Sequence, residues 1–343
     1  MCNIIAYRKR GSSLPELRRD ALSDTWVIIA PERASRPHAK KKKKEPPMPH
    51  CPFCEGAEAK SDIVPYATCA ATFDKKGNWV TRILNNKFPA LKPSEELTEE
   101  DFEHIYHQMG GVGGHEILVE SPEHKHYKWS NMPKEQLITV LKNYQCRYAY
   151  WRKDPRIAYL SIFRNHGKVA GASVKHPHSQ MIATPLVPPR VEKEMDKMKK
   201  HKQKTGKCLI CHMAKLEQKV EQRIIMENDH FLAFSNFAPR FPYETTIIPK
   251  KHRDTIEDIT EKEMENLADF LSALFKKFDK LLEDPPYNLI LHVSPIKMRG
   301  LDYFHWHIEI IFRLSQPAGF EWGSGIYINS VAPEVAAEKL RKV

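Results

Sequence analysis

Short apolar runs bounded by Pro, Gly and Asn recur along this chain, and two longer stretches carry their apolar residues at helical spacing instead. Trp26, Val27, Ile28 and Ile29 centre a strand expected over Leu22 to Ala30, and Pro31-Glu32-Arg33-Ala34-Ser35-Arg36-Pro37 after it reads as a rigid loop. Further strands are expected at Trp79 to Leu84, Glu116 to Glu120 and Tyr159 to Arg164, with Asn85 to Pro89, Gly110 to Gly114 and Asn165 to Gly167 as the loops beside them. Between the last two strands, Lys134 to Arg152 places Leu137, Val140, Leu141, Tyr144 and Tyr148 on one stripe, which predicts a helix packed by that face. Pro185 to Pro189 closes this half, and Val191 to Lys204 reads as a charged linker helix.

The second half then repeats the order of the first. Cys51-Pro52-Phe53-Cys54 returns as Cys208-Leu209-Ile210-Cys211. The strand ending in Ser121-Pro122-Glu123-His124 returns as Thr246 to His252, and the helical stretch 134–152 as Thr260 to Leu282. His176-Pro177-His178 returns as His305-Trp306-His307, followed by a strand over Ile308 to Phe312. The pattern predicts an α+β fold made by duplication. Its units are a first domain over 1–190, a linker over 191–206 and a second domain over 207–343, each with a mostly antiparallel sheet flanked by helices.

Composition narrows the class. The 343 residues carry 54 Lys and Arg against 43 Asp and Glu, a formal net charge of +11, which favours anionic partners without choosing among them. No run approaches the roughly 18–20 apolar residues that span a bilayer, and the first residues lack a signal peptide's apolar stretch. The expectation is a cytoplasmic protein without a membrane. Nucleic-acid binding would call for basic residues interleaved with aromatics on one face. Here the polar donors gather around His178 instead, which argues for an enzyme; the lysine run Lys40 to Lys44 reads as a solvated loop.

Four of the seven cysteines form two Cys-x-x-Cys pairs, a usage that suits metal ligands better than a disulfide framework. A thiol pair with two downstream histidines supplies the four ligands that structural zinc prefers. The first half offers Cys51, Cys54, His124 and His176; the second offers Cys208, Cys211, His252 and His305. A rival in the second half joins His292, His305 and His307 to a carboxylate such as Glu194, around a different divalent metal. Zinc in either half would be structural, because four protein ligands leave no open position.

In an extended His176-Pro177-His178 both imidazoles fall on one side. If His176 binds the metal, the strand is pinned and His178 faces the same cavity. A neutral imidazole is a competent nucleophile toward phosphorus, provided that one nitrogen is bare while the other donates to a carbonyl. Ser173, Ser179 and Gln180 would offer donors to phosphate oxygens, and Arg33 and Arg36 would neutralise their charge. The same residues also allow His178 to be a further metal ligand, or to serve a hydrolase with water as acceptor.

These segments resemble the galactose-1-phosphate uridylyltransferase family of the histidine-triad superfamily over nearly the whole chain. The shared motifs are Pro31-x-Arg33-x-x-Arg36-Pro37, Cys51-Pro52-x-Cys54, Asn86-x-Phe88-Pro89-Ala90-Leu91, Ser121-Pro122-x-His124, Asn165-x-Gly167 and His176-Pro177-His178-x-Gln180. The resemblance implies a histidine-triad-like fold and a ping-pong reaction. The histidine at 178 would attack the α-phosphate of a nucleotide sugar, hexose 1-phosphate would leave, and a second phosphate-bearing substrate would collect the nucleotide. It also implies that Gln180 contacts the transferred group and marks a transferase, and that Asn165 and Ser173 support the phosphates and the histidine strand. Arg33 and Arg36 would lie by the phosphates, Asn86 and Phe88 in the nucleoside pocket. A homodimer would supply part of the site near Phe320 and Glu321.

Two departures bear on the substrate. Lys87 replaces a ribose-binding aspartate, and Tyr327 stands near the place of a sugar-binding glutamine. That tail, the second Cys-x-x-Cys and Asp284-Pro285-Pro286-Tyr287-Asn288 look similar to plant-type relatives that phosphorolyse ADP-glucose with inorganic phosphate. The leading expectation is UDP-glucose with a hexose 1-phosphate as acceptor; the alternative is ADP-glucose with phosphate.

Overall fold

The computed structural model describes residues 15–35, 51–54, 71–93 and 96–343. Arg36 and the run Lys40 to Lys44 lie outside them. The strands are β1 (Glu16–Arg19), β2 (Trp26–Ile29), β3 (Ala71–Phe73), β4 (Trp79–Asn85), β5 (Glu99–Phe102), β6 (Tyr106–Met109), β7 (Gly114–Val119), β8 (Tyr159–His166), β9 (His178–Thr184), β10 (Ile224–Glu227), β11 (Phe231–Ser235), β12 (Thr245–Pro249), β13 (Tyr287–His292), β14 (His307–Phe312) and β15 (Tyr327–Asn329). The helices are α1 (Lys134–Trp151), α2 (Pro189–Thr205), α3 (Leu209–Val220), α4 (Glu261–Leu282), α5 (Gly319–Ser324) and α6 (Pro333–Arg341). Among the described residues no helix is long and apolar enough to cross a membrane.

Ten of the described strands form one sheet in the order β10-β11-β12-β14-β13-β8-β9-β7-β4-β3. Each half of the chain contributes five consecutive neighbours, β10-β11-β12-β14-β13 and β3-β4-β7-β9-β8, and the two sets meet where β13 pairs antiparallel with β8. The sheets expected for the two halves therefore lie edge to edge as one. The segment 191–206, expected as a linker, falls almost wholly within α2.

The long helices follow their sequence signals. α1 buries Leu137, Val140, Leu141, Tyr144 and Tyr148, the stripe that predicted it. α4 starts at a capping box: Thr260 accepts from the Glu263 N–H while the Glu263 carboxylate accepts from the Thr260 N–H. Both helices pack into a single core with strands of both halves, so Leu141 and Leu271 belong to the same cluster as Ile162 and Leu289. Two glycines at the start of β7 are required by close approach: a Cβ on Gly114 would lie 2.3 Å from the Trp151 ring, and one on Gly113 would lie 2.1 Å from the Ala183 carbonyl oxygen.

A buried ion pair locks α1 to the sheet. Arg147 Nε donates to Glu116 Oε2 at 2.8 Å, its Nη2 donates to Oε1, and both side chains are almost wholly out of water. Removing the arginine leaves a carboxylate without its partner in a dry place, which destabilises far more than the intact pair stabilises. Arg147→Met should lower unfolding free energy by about 3–5 kcal/mol, read as a lower urea midpoint at unchanged slope. An unchanged midpoint would show that the carboxylate finds water.

Candidate active site and metal centres

β9 runs through the middle of the first half's strands, with Val119 opposite His178 and both Ile117 and Phe163 opposite Gln180. Side chains alternate along a strand, so His178 and Gln180 share one face and Ser179 takes the other. That placement corrects one expectation: Ser179 does not offer its hydroxyl to phosphate. It is fully buried on the α1 side, where it donates to Glu120 and accepts from the Tyr144 hydroxyl at 2.6 Å. Glu120 also accepts from Trp129 Nε1 at 3.0 Å and from Arg164 Nε at 3.1 Å, and Arg164 donates to the Tyr287 hydroxyl. This satisfied, buried network behind the strand stiffens it from the rear.

His178 meets the two geometric conditions for a phosphorus nucleophile. Its Nδ1 lies 2.7 Å from the His176 carbonyl oxygen, which can only accept, so Nδ1 holds the proton and Nε2 is left bare. Burial pushes the ring's pKa below the usual histidine value; its carbonyl partner and Glu120 oppose that shift, and Arg164 adds to it. The Phe53 ring leans on the imidazole with centroids 5.5 Å apart.

His176 shares the Phe53 ring with His178 but commits its two nitrogens elsewhere. Its Nε2 donates to the Ser121 carbonyl at 2.6 Å, leaving Nδ1 at 3.6 Å from Cys51 Sγ and 3.8 Å from Cys54 Sγ. His124 Nε2 completes the group at 3.6 Å from Cys54 Sγ. Zinc at its usual sulfur and nitrogen distances makes a tetrahedron with sulfur-to-nitrogen edges of about 3.6 Å, so these four atoms stand where one ion would bind them all. Burial is the main reason the His176 pKa falls to about 4, and a neutral ring is the ligating form. His178 is not among these ligands.

The second half repeats the arrangement. His305 Nε2 donates to the Pro249 carbonyl at 3.0 Å, and its Nδ1 lies 3.3 Å from Cys211 Sγ and 3.9 Å from Cys208 Sγ. His252 Nδ1 is 3.5 Å from Cys211 Sγ. His305 therefore sides with the thiols, and the rival set keeps only Glu194, His292 and His307, a separate buried group. His307 matches His178, donating Nδ1–H to the carbonyl two residues back at 3.2 Å. Its neighbour at the place of Gln180 is Glu309, whose carboxylate is gripped by Arg190 at 2.8 Å and Arg240 at 2.6 Å. A fixed carboxylate there would repel a phosphoryl group, where Gln180 offers a neutral amide.

The other expected site residues divide into two groups. Asn165 on β8 accepts from Asn288 Nδ2 at 2.8 Å, and Ser173 is exposed on the loop leading to β9. Asn86 lies beside His115, a β7 residue that the sequence reading missed: His115 Nε2 is 3.1 Å from Asn86 Nδ2 and 2.9 Å from Gln180 Oε1. A cavity of about 840 Å3 opens beside Asn86 and His115, lined further by Tyr150, Trp151, Lys153 and Arg156. Phe88 is 81% exposed. Arg33 and Glu321 come together elsewhere, in a cavity of about 230 Å3 shared with Arg240 and Tyr327, and neither His178 nor Gln180 lines it. Phe320, also on α5, is about half exposed.

A family model described as "Domain of unknown function (DUF4921)" matches residues 74–342. The chain is 36% identical over 340 residues to an ADP-glucose phosphorylase of Arabidopsis thaliana, covering 96% of this chain and 93% of that one. It is 30% identical over 335 residues to a galactose-1-phosphate uridylyltransferase of Thermotoga maritima, covering 95% and 98%. Among solved structures, that of an Arabidopsis thaliana ADP-glucose phosphorylase with bound ADP-glucose matches with a TM-score of 0.81 at 35% identity, over 96% of this chain and 99% of the other. With its bare-nitrogen histidine and adjacent glutamine on β9, the chain belongs to the galactose-1-phosphate uridylyltransferase family and is a nucleotidyl-transferring enzyme.

Proposed function

We propose that this enzyme transfers a nucleotidyl group from a nucleotide sugar to a phosphate acceptor through a covalent nucleotidyl-His178, with ADP-glucose as donor and inorganic phosphate as acceptor. The observation carrying the covalent step is the single proton on His178 Nδ1, which leaves Nε2 free for in-line attack. Nε2 bonds to the α-phosphorus, the bridging P–O bond breaks, and glucose 1-phosphate leaves with that electron pair. Positive charge appears on the ring as it is phosphorylated. The His176 carbonyl and the Glu120 carboxylate behind the strand stabilise it. Phosphate then attacks from the vacated side, the P–N bond breaks, and ADP departs with His178 neutral again.

Zinc held by Cys51, Cys54, His124 and His176, and a second ion held by Cys208, Cys211, His252 and His305, would act structurally, fixing the strands that carry His178 and His307. The adenylyl reading is favoured over the uridylyl one by the segment Asp284 to Asn288, whose sequence is similar to that of the plant-type relatives and which packs against β8. In it, Asp284 pairs with His166 at 2.8 Å, Tyr287 meets Arg164, and Asn288 holds Asn165. The 36% identity to an ADP-glucose phosphorylase points the same way. The uridylyl reading, placed first from the sequence, stands second, supported by the 30% relative. Two copies of the chain would complete each site, with Arg33 and Glu321 of one facing His178 of the other.

Incubation with ADP-glucose or UDP-glucose, each labelled in the α-phosphate, separates these readings. The expected result is an acid-labile, base-stable protein adduct formed from ADP-glucose and discharged by phosphate. Labelling from UDP-glucose, discharged by a hexose 1-phosphate, would establish the second reading. No adduct from either would remove the covalent mechanism.

A further inference from the structure

Two side-chain amides meet at His115: that of Asn86, and that of Gln180, which shares a face of β9 with His178. An amide offers a phosphoryl group either a donor or a repelling oxygen, and which end it presents is set by what holds the other end. Asn86 Oδ1 accepts from the Phe88 N–H at 2.9 Å. For Gln180 the partner is His115, whose Nε2 lies 2.9 Å from Oε1.

The tautomer of His115 follows from its far side. Its Nδ1 receives the Ala90 backbone N–H at 3.2 Å. A backbone amide only donates, so Nδ1 carries no proton, and a neutral imidazole then carries its one proton on Nε2. The Nε2–H donates to Gln180 Oε1. The reverse tautomer would set an Nδ1–H against the Ala90 N–H and lose both bonds. Gln180 thus has its oxygen occupied and its NH2 free on the face it shares with His178. Asn86 Nδ2 lies 3.1 Å from the same Nε2, where two N–H groups face each other without a bond, so the Asn86 amide gains nothing from His115 there.

Resting on the transfer mechanism proposed above, we infer that His115 is a positioning residue for nucleotidyl transfer: it fixes the Gln180 amide donor-first toward the phosphoryl group. Donors fixed in advance of the charge they meet stabilise a transition state more than groups that must reorient. A glutamine free to turn over would spend part of its time with an oxygen facing phosphate. His115 also ties the Asn86–Ala90 loop to Gln180, so the loop beside the cavity and the phosphate contact are set by one ring.

Three variants test this. His115→Leu should slow adduct formation at saturating nucleotide sugar by about 10–100-fold, with KM changed by less than about threefold, and with metal content and melting temperature near wild type. His115→Gln, whose amide N–H reaches the place of the imidazole Nε2–H, should recover most of that loss. In a Gln180→Leu background, adding His115→Leu should change the rate by less than about twofold, because the two act as one unit. Equal losses in both backgrounds, or no recovery with glutamine, would overturn the assignment. Nitrogen NMR of the unmodified protein provides a reading independent of turnover and of any variant's folding. His115 should appear with its proton on Nε2, and a proton on Nδ1 would overturn the inference. If the wild type takes label from neither nucleotide while His115 shows the expected tautomer, the transfer mechanism fails and the hydrogen-bond assignment stands.

Discussion

His178→Ala should abolish the covalent adduct and lower turnover by a factor on the order of 10^4 or more, as removing a nucleophile does in enzymes where one group carries the bond-making step. The fold should survive. His178 ligates no metal, and its ring contacts are Phe53 and a backbone carbonyl, so the stability loss should stay within about 1–3 kcal/mol. Full metal content with no label is therefore the expected signature. An adduct that persists in this variant would mean that another side chain attacks phosphorus. A mixture of His178→Ala chains with Arg33→Ala chains extends the test: if each site draws on two copies, the mixture should regain activity that neither variant has alone.

The second large effect falls on the first metal centre. Cys51→Ala removes one of the four ligand atoms and should release the metal, together with a large share of the roughly 10–16 kcal/mol that a structural zinc contributes. His176 would then keep only its bond to the Ser121 carbonyl, and the start of β9 would lose its anchor. Stability, metal content and labelling should fall together, as atomic emission, thermal melting and adduct yield would register. Cys208→Ala should empty the second centre with a smaller effect on labelling, since His305 precedes a strand that lacks the glutamine. A Cys51→Ala protein that melts and labels like the wild type would show that His176 needs no metal to hold His178 in place.

Much of this was legible in the sequence because it is local. The stripe on α1 read correctly from spacing, and the two cysteines and two histidines that spacing grouped in each half do lie together. Ser179 was misread although the alternation that puts His178 and Gln180 together already sends the residue between them to the opposite face. His115 could not be found that way, because it reaches Gln180 only through the pairing of β7 with β9, residues far apart in the chain. The rival metal set lost His305 for a similar reason, because only the direction of that ring, fixed by the Pro249 carbonyl, assigns it to the thiols; Glu194, His292 and His307 stay grouped. Arg33 and Glu321 come together across the length of the chain, in a cavity that neither His178 nor Gln180 lines.

The β8–β13 seam has one more consequence. Five successive residue pairs, Tyr287 with His166 through Leu291 with Ile162, join the two halves, and Asn288 reaches across the seam to Asn165. A piece of the chain stopped at residue 190 would keep every atom of the nucleophile and its metal knuckle. It would also bare a row of unsatisfied amides and carbonyls along β8, an open invitation to stick to its own kind. The second half thus covers the strand edge that the first half would otherwise leave open.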